Sequence, residues 1–282
     1  MQHKLLLFVL LCLVALGSVY GYYYYRWHHL WAVEDPIGFY DVPAAGNDTL
    51  RVLMIGDSWA GIHSELQMDS FLCSELETAV SRPVTVVSKG KGGEKSRGIY
   101  RMLFQTAGYG TKPLFLAGAD YCIVSAGIND AAANLGTKQF CAHYRMILDF
   151  LLASGIRPVV IETPDVDIWN VYDDKPWKDL LTDFVRSTMT GCGMYRFREY
   201  REALKSMLLE EHLMERVVYV PMAGWNGDGE AVNQQLFMAD RVHLNRQGYE
   251  RLDACMAKAI ARDLQQSQDS ALVNQPVDKD TE

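Results

Sequence analysis

Four short stretches of this chain carry residues that together can transfer an acyl group. The first is Gly56-Asp57-Ser58, which ends the apolar run Arg51-Val52-Leu53-Met54-Ile55. A buried parallel strand runs apolar and turns polar at its carboxyl end, where open α/β sheets hold their ligands. Gly56 permits a sharp turn, so Ser58 stands at the mouth of the sheet, ahead of a helical stretch. A nucleophile belongs there, and so does a helix cap; GDS alone does not choose between them. The second and third stretches are Gly90-Lys91-Gly92-Gly93 and Gly127-Ile128-Asn129-Asp130. A serine that attacks a carbonyl needs donors aimed at the oxyanion. The backbone N–H groups of Ser58 and Gly93 and the side-chain amide of Asn129 supply three. Losing one such donor costs around 100- to 1,000-fold in rate. The fourth stretch, Asp240-Arg241-Val242-His243, supplies a base. Of seven histidines, His3 lies in the leader and His28 and His29 in a tether. His63, His143 and His212 fall in helical stretches. His243 falls in a loop, and Asp240 three residues earlier can hold its tautomer while the other ring nitrogen takes the serine proton.

The elements that must position these residues alternate along the chain. Strands are expected at 51–55, 84–87, 120–126, 157–161 and 216–220, and helices at 62–80, 94–107, 137–154, 177–189, 196–214 and 246–264. Strand and helix in alternation make a parallel sheet with helices on both faces. The fold expected is therefore α/β, three layers around a five-stranded parallel sheet. The first three strands then present Ser58, Gly93 and Asn129 on one sheet edge, and His243 joins them from the loop after the last strand.

In that order and setting, the four blocks resemble the SGNH hydrolases, the GDSL esterase/lipase superfamily. The marks are Gly56-Asp57-Ser58, Ser88-x-Gly90-x-x-Gly93, Gly127-x-Asn129-Asp130 and Asp240-x-x-His243, spread over a domain of residues 50–264. The resemblance implies a flavodoxin-like sheet, Ser58 as nucleophile, His243 as base and Asp240 as its orienting acid. It also implies an oxyanion hole of Ser58, Gly93 and Asn129, with neither metal nor cofactor. One departure is Ser88, where the family often has Asn, and Gly90 and Gly92 compete with Gly93 for its role. Two other readings fail. An α/β-hydrolase elbow needs Gly-x-Ser-x-Gly, and Ala60 stands where its second glycine should be. A phosphate loop needs a terminal Lys-Ser/Thr, which Gly90–Gly93 lacks.

Composition narrows the partners. The 282 residues are 49% hydrophobic with a formal charge of −8 and no basic block, so nucleic acid is not an expected partner. A metal site is not expected either, because no Cys-x-x-Cys or clustered His/Cys spacing occurs. The amino terminus is a leader: Met1-Gln2-His3-Lys4, then an apolar run from Leu5 that reaches Tyr25. That is long enough to cross a bilayer, which takes roughly 20 residues. The tyrosines and Trp27 fall at its exit, where amphipathic rings concentrate. Residues 1–25 are read as a signal anchor, with a cleaved signal peptide as the alternative, since Ala15-Leu16-Gly17 resembles a cleavage site. Residues 26–49 are then a tether and 265–282 a disordered tail, and the domain lies outside the cytoplasm. Five cysteines follow the leader, an odd number that leaves at least one unpaired.

The activity expected is that of a serine esterase on small O-acyl esters, acetylated carbohydrate above all. An acyltransferase acting on an envelope glycan and a non-catalytic carbohydrate-binding protein are the alternatives. Trp59, Trp169, Trp177 and Trp225 are candidate platforms for a sugar ring, with ordinary packing as the competing role.

Overall fold

The computed structural model describes residues 2–46, 48–164, 166, 175–222 and 234–273. Five strands, β1 (Leu50–Gly56), β2 (Val84–Gly90), β3 (Tyr121–Ser125), β4 (Arg157–Ile161) and β5 (Val218–Val220), form one sheet in the order β2-β1-β3-β4-β5. All neighbours are parallel. β3 is buried along its whole length and β1 at every position but Arg51. Such strands read as continuous apolar runs because both faces are covered.

The helices are α1 (Gln2–Leu30), α2 (Ser58–Glu65), α3 (Met68–Val80), α4 (Ser96–Met102), α5 (Lys112–Phe115), α6 (Ile128–Ala132), α7 (Thr137–Ala153), α8 (Trp177–Thr190), α9 (Phe197–Glu210) and α10 (Arg246–Val273). Helix α3 packs on α10 in one layer, while α7 packs on α4 and α9 in the other. Helix α7 shows why it faces the sheet: Phe140, Tyr144, Ile147, Leu148 and Leu151 recur at helical spacing and are buried.

Register positions the site. Gly56 of β1 is level with both Gly90 of β2 and Ser125 of β3, so three strand ends stop together at one edge. Gly90 must be glycine, since a Cβ there would sit 2.1 Å from the Asp57 carbonyl oxygen and 2.4 Å from Gly61 N. That close approach seats the end of β2 against the first turn of α2.

Several boundaries differ from expectation. The stretch 62–80 is two helices, broken where Gln67 adopts a left-handed conformation (φ 58°). Helix α1 continues past Tyr25 to Leu30. The tether is a strap on the domain: Tyr40 Oη donates to the Leu103 carbonyl at 2.8 Å, the Tyr100 hydroxyl accepts from Ile37 N–H, and Glu34 pairs with Arg101. Helix α10 runs through 265–273, where a tail was expected. Residues 265–270 are polar, but the segment through Val273 contains neither glycine nor proline to break a helix. All six cysteines are free.

Candidate active site

Ser58 opens α2 behind Asp57, its N-cap. Asp57 Oδ1 accepts the Trp59 N–H at 3.0 Å and the Ser125 hydroxyl at 3.1 Å, and Oδ2 accepts from Asn129 Nδ2 at 3.3 Å. One carboxyl therefore joins the ends of β1 and β3 beside the serine. Burial raises its pKa to about 7 against the pull of those donors. Burial therefore disfavours the charged form of this carboxyl.

His243 reaches Ser58 from the opposite side. Its Nε2 lies 2.8 Å from Ser58 Oγ and its Nδ1 2.6 Å from Asp240 Oδ2. Asp240 Oδ1 also accepts the N–H groups of Val242 and His243, each at 3.0 Å. Burial pushes this carboxyl upward, but the His243 and Val242 donors outweigh it and hold the pKa below its ordinary value. A hydroxyl, an imidazole and a carboxylate in this sequence can pass a proton off the serine.

The loop that carries them is tightly held. Phe237 and Leu244 form an antiparallel bridge, Met238 N–H donates to the His243 carbonyl at 2.7 Å, and Arg241 takes a positive φ of 57° at the turn. Asn245 closes the loop as it starts α10, donating to the Gln235 carbonyl and accepting the Gly248 N–H. Trp59 ties this loop to α2. Its Nε1 donates to the Val242 carbonyl at 3.1 Å, and its own carbonyl accepts the Tyr249 hydroxyl at 2.9 Å.

That bonding corrects one expectation. Trp59 is only 1% exposed, so its ring face is closed to a sugar and its work is to position the His243 loop. Trp177 is exposed on α8. Trp169 and Trp225 lie outside the described residues.

Gly93 takes a left-handed φ of 71° in the exposed turn after β2. Among the described residues neither its N–H nor that of Ser58 has an acceptor, whereas Lys91 N–H is committed to the Gly56 carbonyl. Asp130 fixes that turn from the third block, accepting both the Ser96 N–H (2.9 Å) and the Ser96 hydroxyl (2.6 Å). Burial raises its pKa to about 6 against those bonds. Sequence reasoning quoted Asp57 and Asp130 as motif letters without a role; their signal was an acid beside each expected site residue.

Comparison with known proteins gives the family and the fold. Residues 54–251 match the GDSL-like lipase/acylhydrolase family. Among curated proteins none matches the sequence. The fold is similar to that of a lipase/acylhydrolase from Enterococcus faecalis, with TM-score 0.52 and 14% identity over 76% of this chain and 96% of that one. A GDSL-like lipase from Bacteroides thetaiotaomicron gives TM-score 0.50 and 15% identity, over 85% and 97% of the chains. An acetyl xylan esterase gives 0.53 and 14%, over 75% and 100%. With Ser58, Asn129 and the Asp240–His243 pair gathered at one edge of a five-stranded parallel sheet, and the family match spanning that sheet, the chain belongs to the GDSL-like lipase/acylhydrolase family of ester hydrolases.

Proposed function

We propose that the chain is a serine esterase that acts outside the cytoplasm on small O-acyl esters, with acetylated carbohydrate as the leading substrate class. The observation that carries this is the unbroken relay from Ser58 through His243 to Asp240, at 2.8 and 2.6 Å. Ser58 Oγ attacks the ester carbonyl as its proton passes to His243 Nε2, and Asp240 stabilises the imidazolium. The oxyanion is received by the N–H groups of Ser58 and Gly93 and by Asn129 Nδ2. His243 returns the proton to the departing alcohol, leaving an acyl-Ser58 ester. It then takes a proton from water, and hydrolysis frees the acid.

The acetyl-carbohydrate substrate is supported by the similarity of fold to an acetyl xylan esterase. The location is supported by α1, long and apolar enough to cross a membrane and without a buried residue. An anchored domain also suits a second reading, in which the acyl group passes to an envelope glycan instead of to water.

The test is direct. Covalent labelling by a fluorophosphonate should be abolished in Ser58→Ala and severely slowed in His243→Ala; equal labelling of Ser58→Ala and the parent would sink the proposal. Incubation with an acetylated sugar, with and without an acceptor glycan, followed by mass analysis of both, separates esterase from transferase.

A further inference from the structure

Helix α8 turns Asp183 inward and an apolar stripe outward. Asp183 is buried and bonds the Lys175 ammonium and the Tyr195 hydroxyl, and Met189 is buried as well. Trp177, Leu181 and Phe184 are 69, 52 and 57% exposed. At 3.6 residues per turn, positions i, i+4, i+7 and i+11 share one face. Thr188 therefore continues the stripe. The amphipathic pattern is that of a packed helix, but the domain occupies the wrong side of it.

What lies along that face is given by α1. The Thr188 hydroxyl is 3.4 Å from Tyr20 Oη, His28 Nε2 is 3.2 Å from the Met189 carbonyl, and the Arg186 guanidinium sits 4.8 Å over the Trp27 ring. The carboxyl end of α8 thus rests on the last turns of α1. Thr188 meets Tyr20, ten positions before the helix end at Leu30, or about 15 Å along the axis toward the apolar run. A bilayer crossed by Leu5–Tyr25 places the tyrosines at the end of that run near its exit interface. Thr188, at the end of the stripe, meets the first of those tyrosines.

We propose that α8 lies in the headgroup–acyl boundary of the bilayer that α1 crosses, with Trp177, Leu181 and Phe184 buried among lipid. This rests on the reading of α1 as a membrane anchor, and makes the attachment two-point: one helix across the membrane and one along it. Lys178, 5.9 Å from the Trp177 ring, extends its ammonium toward phosphate. The domain is then held in one orientation and does not swing on a strap.

The experiment uses the full chain in phosphatidylcholine vesicles containing a phosphatidylcholine with a photoactivatable diazirine on its acyl chain. After irradiation, labelled peptides are mapped by mass spectrometry. Label is expected both in 5–25 and in 177–184. In the double variant Leu181→Glu, Phe184→Glu, label in α8 should fall about tenfold or more, since carboxylates resist entry into the apolar layer. Label in 5–25 and hydrolysis of a soluble ester should stay unchanged. Label confined to 5–25 would overturn the docking of α8 and leave the anchor standing. Absence of label from both segments would overturn the anchor as well.

Discussion

The imidazole of His243 has one partner on each ring nitrogen, and this division decides what each neighbour contributes. Asp240, held anionic by two backbone N–H groups and the ring, favours a proton on Nδ1 and leaves the Nε2 lone pair to Ser58. Asn129 divides its donors differently. One N–H goes to Asp57 at the long distance of 3.3 Å, which orients the amide and leaves a second N–H for an oxyanion. Asn129→Ala is expected to lower kcat by about 100-fold or more with KM nearly unchanged, because the charge it meets exists mainly in the transition state. Steady-state kinetics on a short-chain ester checks this, and a loss confined to KM would make Asn129 a substrate-binding residue. Trp59 acts one step further out. Trp59→Phe keeps a ring against Phe237 and removes the donor to the Val242 carbonyl. With the His243 loop freed by a fraction of an ångström, kcat should fall roughly tenfold at unchanged KM, and unfolding free energy by about 1 kcal/mol. Retained kcat in that variant would show that the loop holds its geometry without Trp59.

Among the elements, the strands were legible because apolar runs bounded by glycine, proline or charge declare themselves locally, and the motif at each strand end then fixed which residues share an edge. The break at Gln67 was not legible, since neither glycine nor proline marks it and the left-handed turn belongs to a tertiary arrangement. That break seats α2 and α3 around His63, which reads in sequence as an ordinary helical histidine. Its partners are 6, 25 and 190 positions away: Asp69 Oδ1 at 3.0 Å, Ser88 Oγ at 2.9 Å and Asp253 Oδ1 at 2.9 Å. No local pattern reaches that far. Ser88, the departure from the family's second block, here joins β2 to this cluster, and Tyr249 covers the ring edge-on. Burial pushes His63 down, but the bonds and charges of Asp253 and Asp69 win and raise it to about 9. The folded value lies above the ordinary 6.5, so its contribution is complete below about pH 6.5 and lost as pH rises through about 9. A shift of this size is worth about 3 kcal/mol. Asp253, raised to about 6 by burial, titrates below that window. Urea unfolding in detergent at pH 6.5 and 9.5 should show a fall of this order, and Asp253→Asn should flatten it. An equally steep loss in the variant would assign the pH dependence to other groups.

For the molecule as a whole, α1 and the domain are not independent bodies joined by loose chain. Helix α1 meets α8 at Tyr20, Trp27 and His28, and the strap that follows is fixed to α4 by Glu34 with Arg101 and by the Arg97 guanidinium 4.4 Å from the Trp31 ring. The charges flanking the apolar run give weak direction: Lys4 stands on its short side, and Arg26 beyond it opposes the positive-inside preference. Export is argued instead from the exit interface, where five tyrosines and two tryptophans between Tyr20 and Trp31 lead straight into a folded hydrolase. The intact protein is therefore expected to sediment with membranes, to resist high-salt extraction, and to be degraded by protease added outside the inner membrane. A charge-held protein would leave the membrane in salt, whereas a buried apolar helix would not. Amino-terminal sequencing of the mature protein separates the remaining alternative. A start at Ser18 would mean a cleaved leader, yet it would spare Tyr20, Trp27 and His28, so the remnant of α1 would still pack on α8. Such a protein would hold to membranes through the α8 stripe alone, and moderate dilution should then release it where the uncleaved form stays bound.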